Sequence, residues 1–158
     1  LAQKARTDHK DGLVIGVDVD IREENKVAIT NHPLSKRIVL IEGDSSAKET
    51  LQKVSELIPK DAEVMVLLDS NHTHEHVAAE LEMYSPLVSV GSYCIVYDTA
   101  IETLSEKHFK DRPWGRGNNP LTAVRSFLAK NSNFIADEEI DGQLVISAAA
   151  GGYLRRVE

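Results

Sequence analysis

Every short apolar run in the first hundred residues of this sequence ends in an acid. Asp18 and Asp20 close the run Leu13 to Val19, Glu42-Gly43-Asp44 follows Arg37 to Ile41, Asp69 follows Glu63 to Leu68, and Asp98 follows Ser92 to Val96. If the last two runs are neighbouring strands, about 4.8 Å apart, Asp69 and Asp98 repel each other unless a proton or a cation sits between them. Hard carboxylate oxygens in that position suit magnesium or calcium rather than zinc. Directly after Asp69 comes a second cluster, Asn71-His72-Thr73-His74-Glu75-His76. Imidazoles at this density suggest either metal ligation or proton transfer.

The histidine cluster approaches the H-x-H-x-D-H run of metallo-β-lactamase-like hydrolases, with His76 standing where that pattern has Asp. A zinc-dependent hydrolase using His72, His74 and His76 is therefore one reading. A solvated helix start is the plain alternative; His72 and His76 then share one face and His74 points elsewhere. Between these stands a role for His72 alone, beside the carboxylates.

The elements that must position these groups alternate between strand and helix. The four apolar runs are rich in Val, Ile and Leu with little polar alternation, as in strands buried on both faces of a parallel sheet. Ala47, Leu51, Val54 and Ile58 keep one helical face apolar, with Ser46 and Glu49 spaced as a capping box. Val77, Leu81 and Tyr84 do the same before Pro86, and Asn119-Pro120 places a cap and a first-turn proline ahead of Val124, Phe127 and Leu128. The end of the chain, Phe134 to Ile140 and Leu144 to Leu154 around Asp141-Gly142, reads as a hairpin. The pattern predicts one α/β domain over residues 1–158, a Rossmann-type sheet closed by an antiparallel pair, with ligands beyond the carboxyl ends of the strands. Asp44 and Ser45 there suit helix capping and ligand contact equally.

Composition narrows the partners. The 158 residues are 42% hydrophobic, with 18 basic against 25 acidic side chains and a net charge of −7. No basic cluster exceeds Arg155-Arg156, which argues against nucleic acid, and no apolar run reaches the length of a membrane span. The lone Cys94 lies in an apolar run and reads as a buried, inert thiol; a reducing, cytoplasmic location is the expectation. The chain opens at Leu1-Ala2-Gln3-Lys4-Ala5 without methionine, as if a helix were entered in mid-element.

Four blocks, in order, carry a family resemblance: Val14-Ile15-Gly16-Val17-Asp18-Val19-Asp20-Ile21-Arg22; Leu67-Leu68-Asp69-Ser70-Asn71-His72; Gly91-Ser92-Tyr93 with Asp98-Thr99; and Arg112-Pro113-Trp114 with Gly117-Asn118-Asn119-Pro120. Together they resemble the cephalosporin hydroxylase family, which despite its name is similar to S-adenosylmethionine-dependent methyltransferases, rhamnosyl O-methyltransferases among them. The resemblance implies a class I methyltransferase fold and an O-methyltransferase acting on a hydroxyl of a small molecule or sugar. It implies that Asp18, with Asp20 nearby, binds the ribose of S-adenosylmethionine, and that Gly43, Asp44 and Ser45 line the adenine. It assigns Asp69 and Asp98 to magnesium, proton acceptance to His72, and the acceptor side to Trp114 and Tyr97. For Trp114, packing on a ring or sugar face stands beside a simpler role as a loop anchor. Two departures accompany it. Tyr97 stands where relatives carry an acid, and a phenol is a poor ligand for a hard cation. The family's first strand and glycine-rich loop have no counterpart and would precede Leu1. A non-catalytic methyltransferase-like domain is the further alternative, and association into a homo-oligomer is left open.

Overall fold

The computed structural model describes residues 12–158. The helix read at Leu1 to Lys4 lies outside the described residues. Contacts divide the chain into two compact units, the first ending at Pro59 and the second spanning Lys60–Glu158.

In the first unit, β1 (Val14–Asp18) and β2 (Ile38–Glu42) run parallel, in a register that sets Val14 opposite Ile38 and Asp18 opposite Glu42. A parallel pair needs a crossover, and α1 (Glu23–Thr30) supplies it. The sequence pattern gives no sign of α1, because it buries no residue and so has no apolar stripe. Its favourable features are Glu23 and Glu24 at the positive end of the helix dipole. After β2 comes α2 (Lys48–Leu57), where the expected Ser46–Glu49 capping box does not form. The N-cap is Ala47, and the Ser46 hydroxyl and N–H both donate to Asp44 Oδ1, at 2.7 and 2.8 Å. Asp44 takes up the serine in a tight turn before the helix begins, so neither of them caps it.

The second unit holds a mixed four-stranded sheet in the order β3-β4-β6-β5. Here β3 (Val66–Leu68) pairs parallel with β4 (Tyr93–Val96), while β6 (Tyr153–Arg156) runs antiparallel to both β4 and β5 (Phe134–Ala136). Helix α3 (His74–Tyr84) contributes Val77 and Leu81, and α4 (Pro120–Leu128) contributes Ala123 and Val124, to a core shared with Cys94, Val96 and Leu154. The i, i+4 spacing of Val77 and Leu81 puts both on the buried face of α3. Asn119 caps α4 as read from the sequence, accepting from the N–H groups of Leu121 and Thr122. Cys94 is fully buried, and burial, with the nearby Glu80 charge adding to it, pushes its thiol up to about 12. Among the described residues no helix is long and apolar enough to cross a membrane.

Among the described strands, β1 is bonded only to β2 and β3 only to β4. One expectation needs correction. The closing antiparallel pair is present, but no Asp-Gly turn joins it. Asp141 and Gly142 lie inside α5 (Glu138–Leu144). Asp137 accepts the Ile140 N–H at 3.3 Å as its N-cap, and Glu138 and Glu139 fill the first turn, so local capping favours helix over hairpin.

Gly152 shows how tightly β6 enters the sheet. Its carbonyl accepts the Val96 N–H at 2.9 Å, and a Cβ on it would strike the Val96 carbonyl oxygen and lie 3.0 Å from that of Ala149. Gly152→Ala should therefore lower stability by about 1–3 kcal/mol or more. Gly142→Ala, in open space within α5, should cost nothing and can gain up to about 1 kcal/mol. Urea denaturation of the two variants checks the contrast.

Candidate functional site

In the second unit, the parallel register pairs Leu68 with Val96, and the Tyr97 N–H donates to the Leu68 carbonyl at 2.9 Å. The pairing thus continues to the point where the chain turns away at Asp69 on one strand and Asp98 on the other. Asp98 has a left-handed backbone, φ 55° and ψ 22°, which a short polar side chain tolerates, and it opens a 3₁₀ turn over Thr99–Glu102. His72 closes the group. Its Nε2 lies 3.1 Å from Asp98 Oδ2 and 3.6 Å from Asp69 Oδ1. Among the described residues, these three alone bring metal-binding atoms from three such side chains within 4.8 Å of one another. Burial holds the Asp98 carboxyl above the usual range; the Asp69 charge adds to this and His72 opposes it.

The turn carrying Asp69 and His72 is tied from below. Asn71 Oδ1 accepts the Thr73 N–H and hydroxyl, at 2.9 and 2.8 Å. Ser70 Oγ donates at 2.7 Å to Glu80 Oε1, on a side chain only 2% exposed, and His76 Nε2 lies 3.6 Å from the same oxygen. His74 goes elsewhere: its Nδ1 lies 2.8 Å from Thr122 Oγ1, and its N–H donates to Asn118 Oδ1 at 2.9 Å. The zinc reading of the three histidines is therefore corrected, since each is committed to a different partner. The two carboxylates, partly open to solvent and with His72 beside them, instead suit a hard divalent cation that keeps part of its water shell.

Trp114 reaches the same place from the segment before α4. Its ring meets His72 edge-on, with centroids 4.9 Å apart, and the Arg112 guanidinium lies 5.3 Å over it. The loop is closed on itself: Asn118 Nδ2 donates to the Pro113 carbonyl at 2.8 Å, and Gly115 and Asn118 exchange backbone hydrogen bonds. Tyr97 stands half-buried directly before Asp98. Sequence reasoning missed Glu80 and Glu102. Glu80 belongs to an apolar helix face that reads as core, and Glu102 lies in a stretch without periodicity.

The remaining predicted residues lie in the first unit, at the carboxyl ends of β1 and β2. Asp18 Oδ1 accepts the Asp20 N–H at 3.0 Å, and the Asp18 carbonyl accepts the Gly43 N–H at 2.9 Å. Asp18 and Asp20 are exposed, as is Asp44, while Gly43 and Ser45 are half-buried. A Cβ on Gly43 would come within 2.7 Å of the buried Thr50 Oγ1, so this turn lies against α2 only with glycine there.

Comparison with known proteins adds the following. The family model Rhamnosyl O-methyltransferase/CmcI matches residues 2–157. Rhamnosyl O-methyltransferases of Mycobacterium tuberculosis (strain H37Rv) and Mycobacterium bovis (strain BCG / Pasteur) are 27% identical over 114 residues, covering 72% of this chain and 43% of theirs. The chain thus spans less than half the length of these curated relatives. Among solved structures, the MycE methyltransferase from the mycinamycin biosynthetic pathway, in complex with Mg, SAH and mycinamycin VI, aligns with a TM-score of 0.49 at 19% identity. That match covers 74% of this chain and 28% of MycE.

The raised Asp98 carboxyl sets a pH-dependent test of the cluster. A folded-state value above the unfolded one, near 3.9, means that stability falls as pH rises through the interval between them. With chelator present, Asp98→Asn should therefore equal the parent below that interval and be the more stable protein at neutral pH. Denaturation midpoints at acid and neutral pH give the comparison.

Proposed function

The chain belongs to the Rhamnosyl O-methyltransferase/CmcI family, and from that premise we propose that it serves S-adenosylmethionine-dependent transfer of a methyl group to a hydroxyl of a small molecule or sugar, on a Rossmann-like class I methyltransferase scaffold. The observation that supports this most is the Asp69–His72–Asp98 cluster with Trp114 against it.

The cofactor's nucleoside falls to the first unit. A carboxylate at the end of a parallel strand suits a ribose diol, since ionised oxygens accept two hydroxyl hydrogen bonds; Asp18 fills that role, with Asp20 beside it. The adenine is bordered by Gly43, Asp44 and Ser45, in the turn that Gly43 seats against Thr50 of α2.

Acceptor activation falls to the second unit. The acceptor oxygen attacks the sulfonium methyl in line; an O–C bond forms, the C–S bond breaks, and S-adenosylhomocysteine leaves. The hydroxyl proton passes to His72, and Asp98 and Asp69, 3.1 and 3.6 Å from its Nε2, stabilise the imidazolium that results. Asp69 and Asp98 are the residues that would hold magnesium, and the bound ion would supply Lewis acidity toward the hydroxyl. Trp114 and Tyr97 border the acceptor, the indole fixed by Arg112 and His72.

Titration calorimetry on the full chain tests both halves. Asp18→Ala should weaken S-adenosylmethionine binding roughly ten-fold or more, the scale of one hydrogen bond to a charged group. Asp69→Ala and Asp98→Ala should leave that binding in place and abolish Mn2+ or Mg2+ binding, and with it any metal-dependent transfer. Equal cofactor affinity in the Asp18 variant sinks the ribose assignment; unchanged metal affinity in both others removes the ion from the mechanism.

A further inference from the structure

We infer that Glu102 is a positioning residue that latches the Trp114 loop to the turn following Asp98, setting the acceptor wall against the reacting cluster. The inference rests on the reading just given, in which Trp114 and the cluster receive the acceptor.

Glu102 ends the 3₁₀ turn that Asp98 opens. The base of that turn is rigid. Thr99 is fully buried and donates to the Ala148 carbonyl at 3.2 Å, and Ile101 is 5% exposed. From this base, all of the described contacts of the Glu102 side chain go to the loop and to the helix behind it. The carboxylate accepts the Gly117 N–H at 2.8 Å and the amide of Asn119, with Arg125 at 3.8 Å. Its backbone carbonyl accepts Arg116 Nε at 3.3 Å. Gly117 has φ +79°, a conformation that glycine adopts without strain. Asn119 is fully buried and already spends its Oδ1 on the cap of α4, so its amide reaches Glu102 from a fixed point.

The contacts close a circuit. Asp98 leads through the buried turn to Glu102, Glu102 holds Gly117 and Asn119, Trp114 at the head of the same loop meets His72, and His72 returns to Asp98. The donors hold the Glu102 carboxyl below its usual range, the Gly117 N–H foremost and then Asn119, so the ionised acceptor is the form the loop selects. The Glu102 side chain is 21% exposed and packs outside the apolar core. Its loss should free the loop and leave the fold standing.

The chain contains one tryptophan, so fluorescence excited at wavelengths its four tyrosines do not absorb reports this loop alone. In Glu102→Ala, acrylamide should quench Trp114 more strongly than in the parent, while S-adenosylmethionine binding and Mn2+ binding stay unchanged and urea denaturation stays a single cooperative transition at a lower midpoint. Glu102→Gln keeps one acceptor oxygen and should fall between the two; it decides the matter if the alanine variant fails to fold. For any glycoside acceptor that the parent methylates, KM should rise roughly ten-fold with kcat little changed. Parental quenching in both variants overturns the latch, and so does stronger quenching with acceptor KM unmoved. A parent that methylates nothing counts against the methyltransferase reading instead, and the quenching result remains independent of it.

Discussion

Two ionised carboxylates at the ends of adjacent parallel strands cannot coexist without a compensating charge, and this constraint organises the second unit. The register of β3 and β4 leaves Asp69 and Asp98 side by side, and His72 is what the chain itself places between them. The imidazole answers the repulsion partly: the Asp98 carboxyl stays above its usual range because burial and Asp69 outweigh His72. A site so poised favours anything that brings positive charge, whether a divalent cation or the proton of an approaching hydroxyl.

Holding that arrangement requires polar anchoring on both sides of the strand ends. Below, the buried Glu80 accepts the Ser70 hydroxyl and so fixes the turn between Asp69 and His72. A carboxylate in a core is costly unless satisfied; Ser70 and the nearby His76 meet Oε1, while the buried Oε2 has no hydrogen-bond partner. Above, Asn118 and Asn119 tie the Trp114 loop to the starts of α3 and α4. The site is built where helix N-termini, a strained strand end and a closed loop meet, and each supplies a backbone group that a side chain can hold.

What the sequence disclosed follows from which forces are local. The four apolar runs marked β1 to β4 within a few residues, because strands favour Val, Ile and Leu, even though β1 buries none of its residues and Leu67 of β3 is 45% exposed. Asp18, Asp69 and Asp98 were legible as strand-end acids for the same reason, and the ordered blocks around them pointed to the family that the comparison with known proteins supports. The helix α1 was not legible, since it packs no apolar face. Nor was α5: Asp141-Gly142 is a turn signal taken alone, and the capping Asp137 four residues earlier outweighs it. The Glu80 and Glu102 contacts link positions 10 and 15 or more residues apart. Neither leaves a periodic trace.

The histidine cluster shows how secondary structure decides the meaning of a spacing. Alternate residues share a face in a strand, where the period is two, so H-x-H-x-H on a strand would gather three imidazoles on one side. In a helix, two residues turn the chain by about 200°, and alternate side chains diverge. This segment leaves β3, takes its N-cap at Thr73 and becomes helical at His74. His72 therefore stays outside the helix and turns to the strand-end carboxylates, His74 faces α4 through Thr122, and His76 reaches back to Glu80 one helical turn on. The same three residue types that would make a zinc site on a strand become, at a helix start, one member of a carboxylate site and two structural ties that hold its supporting elements together.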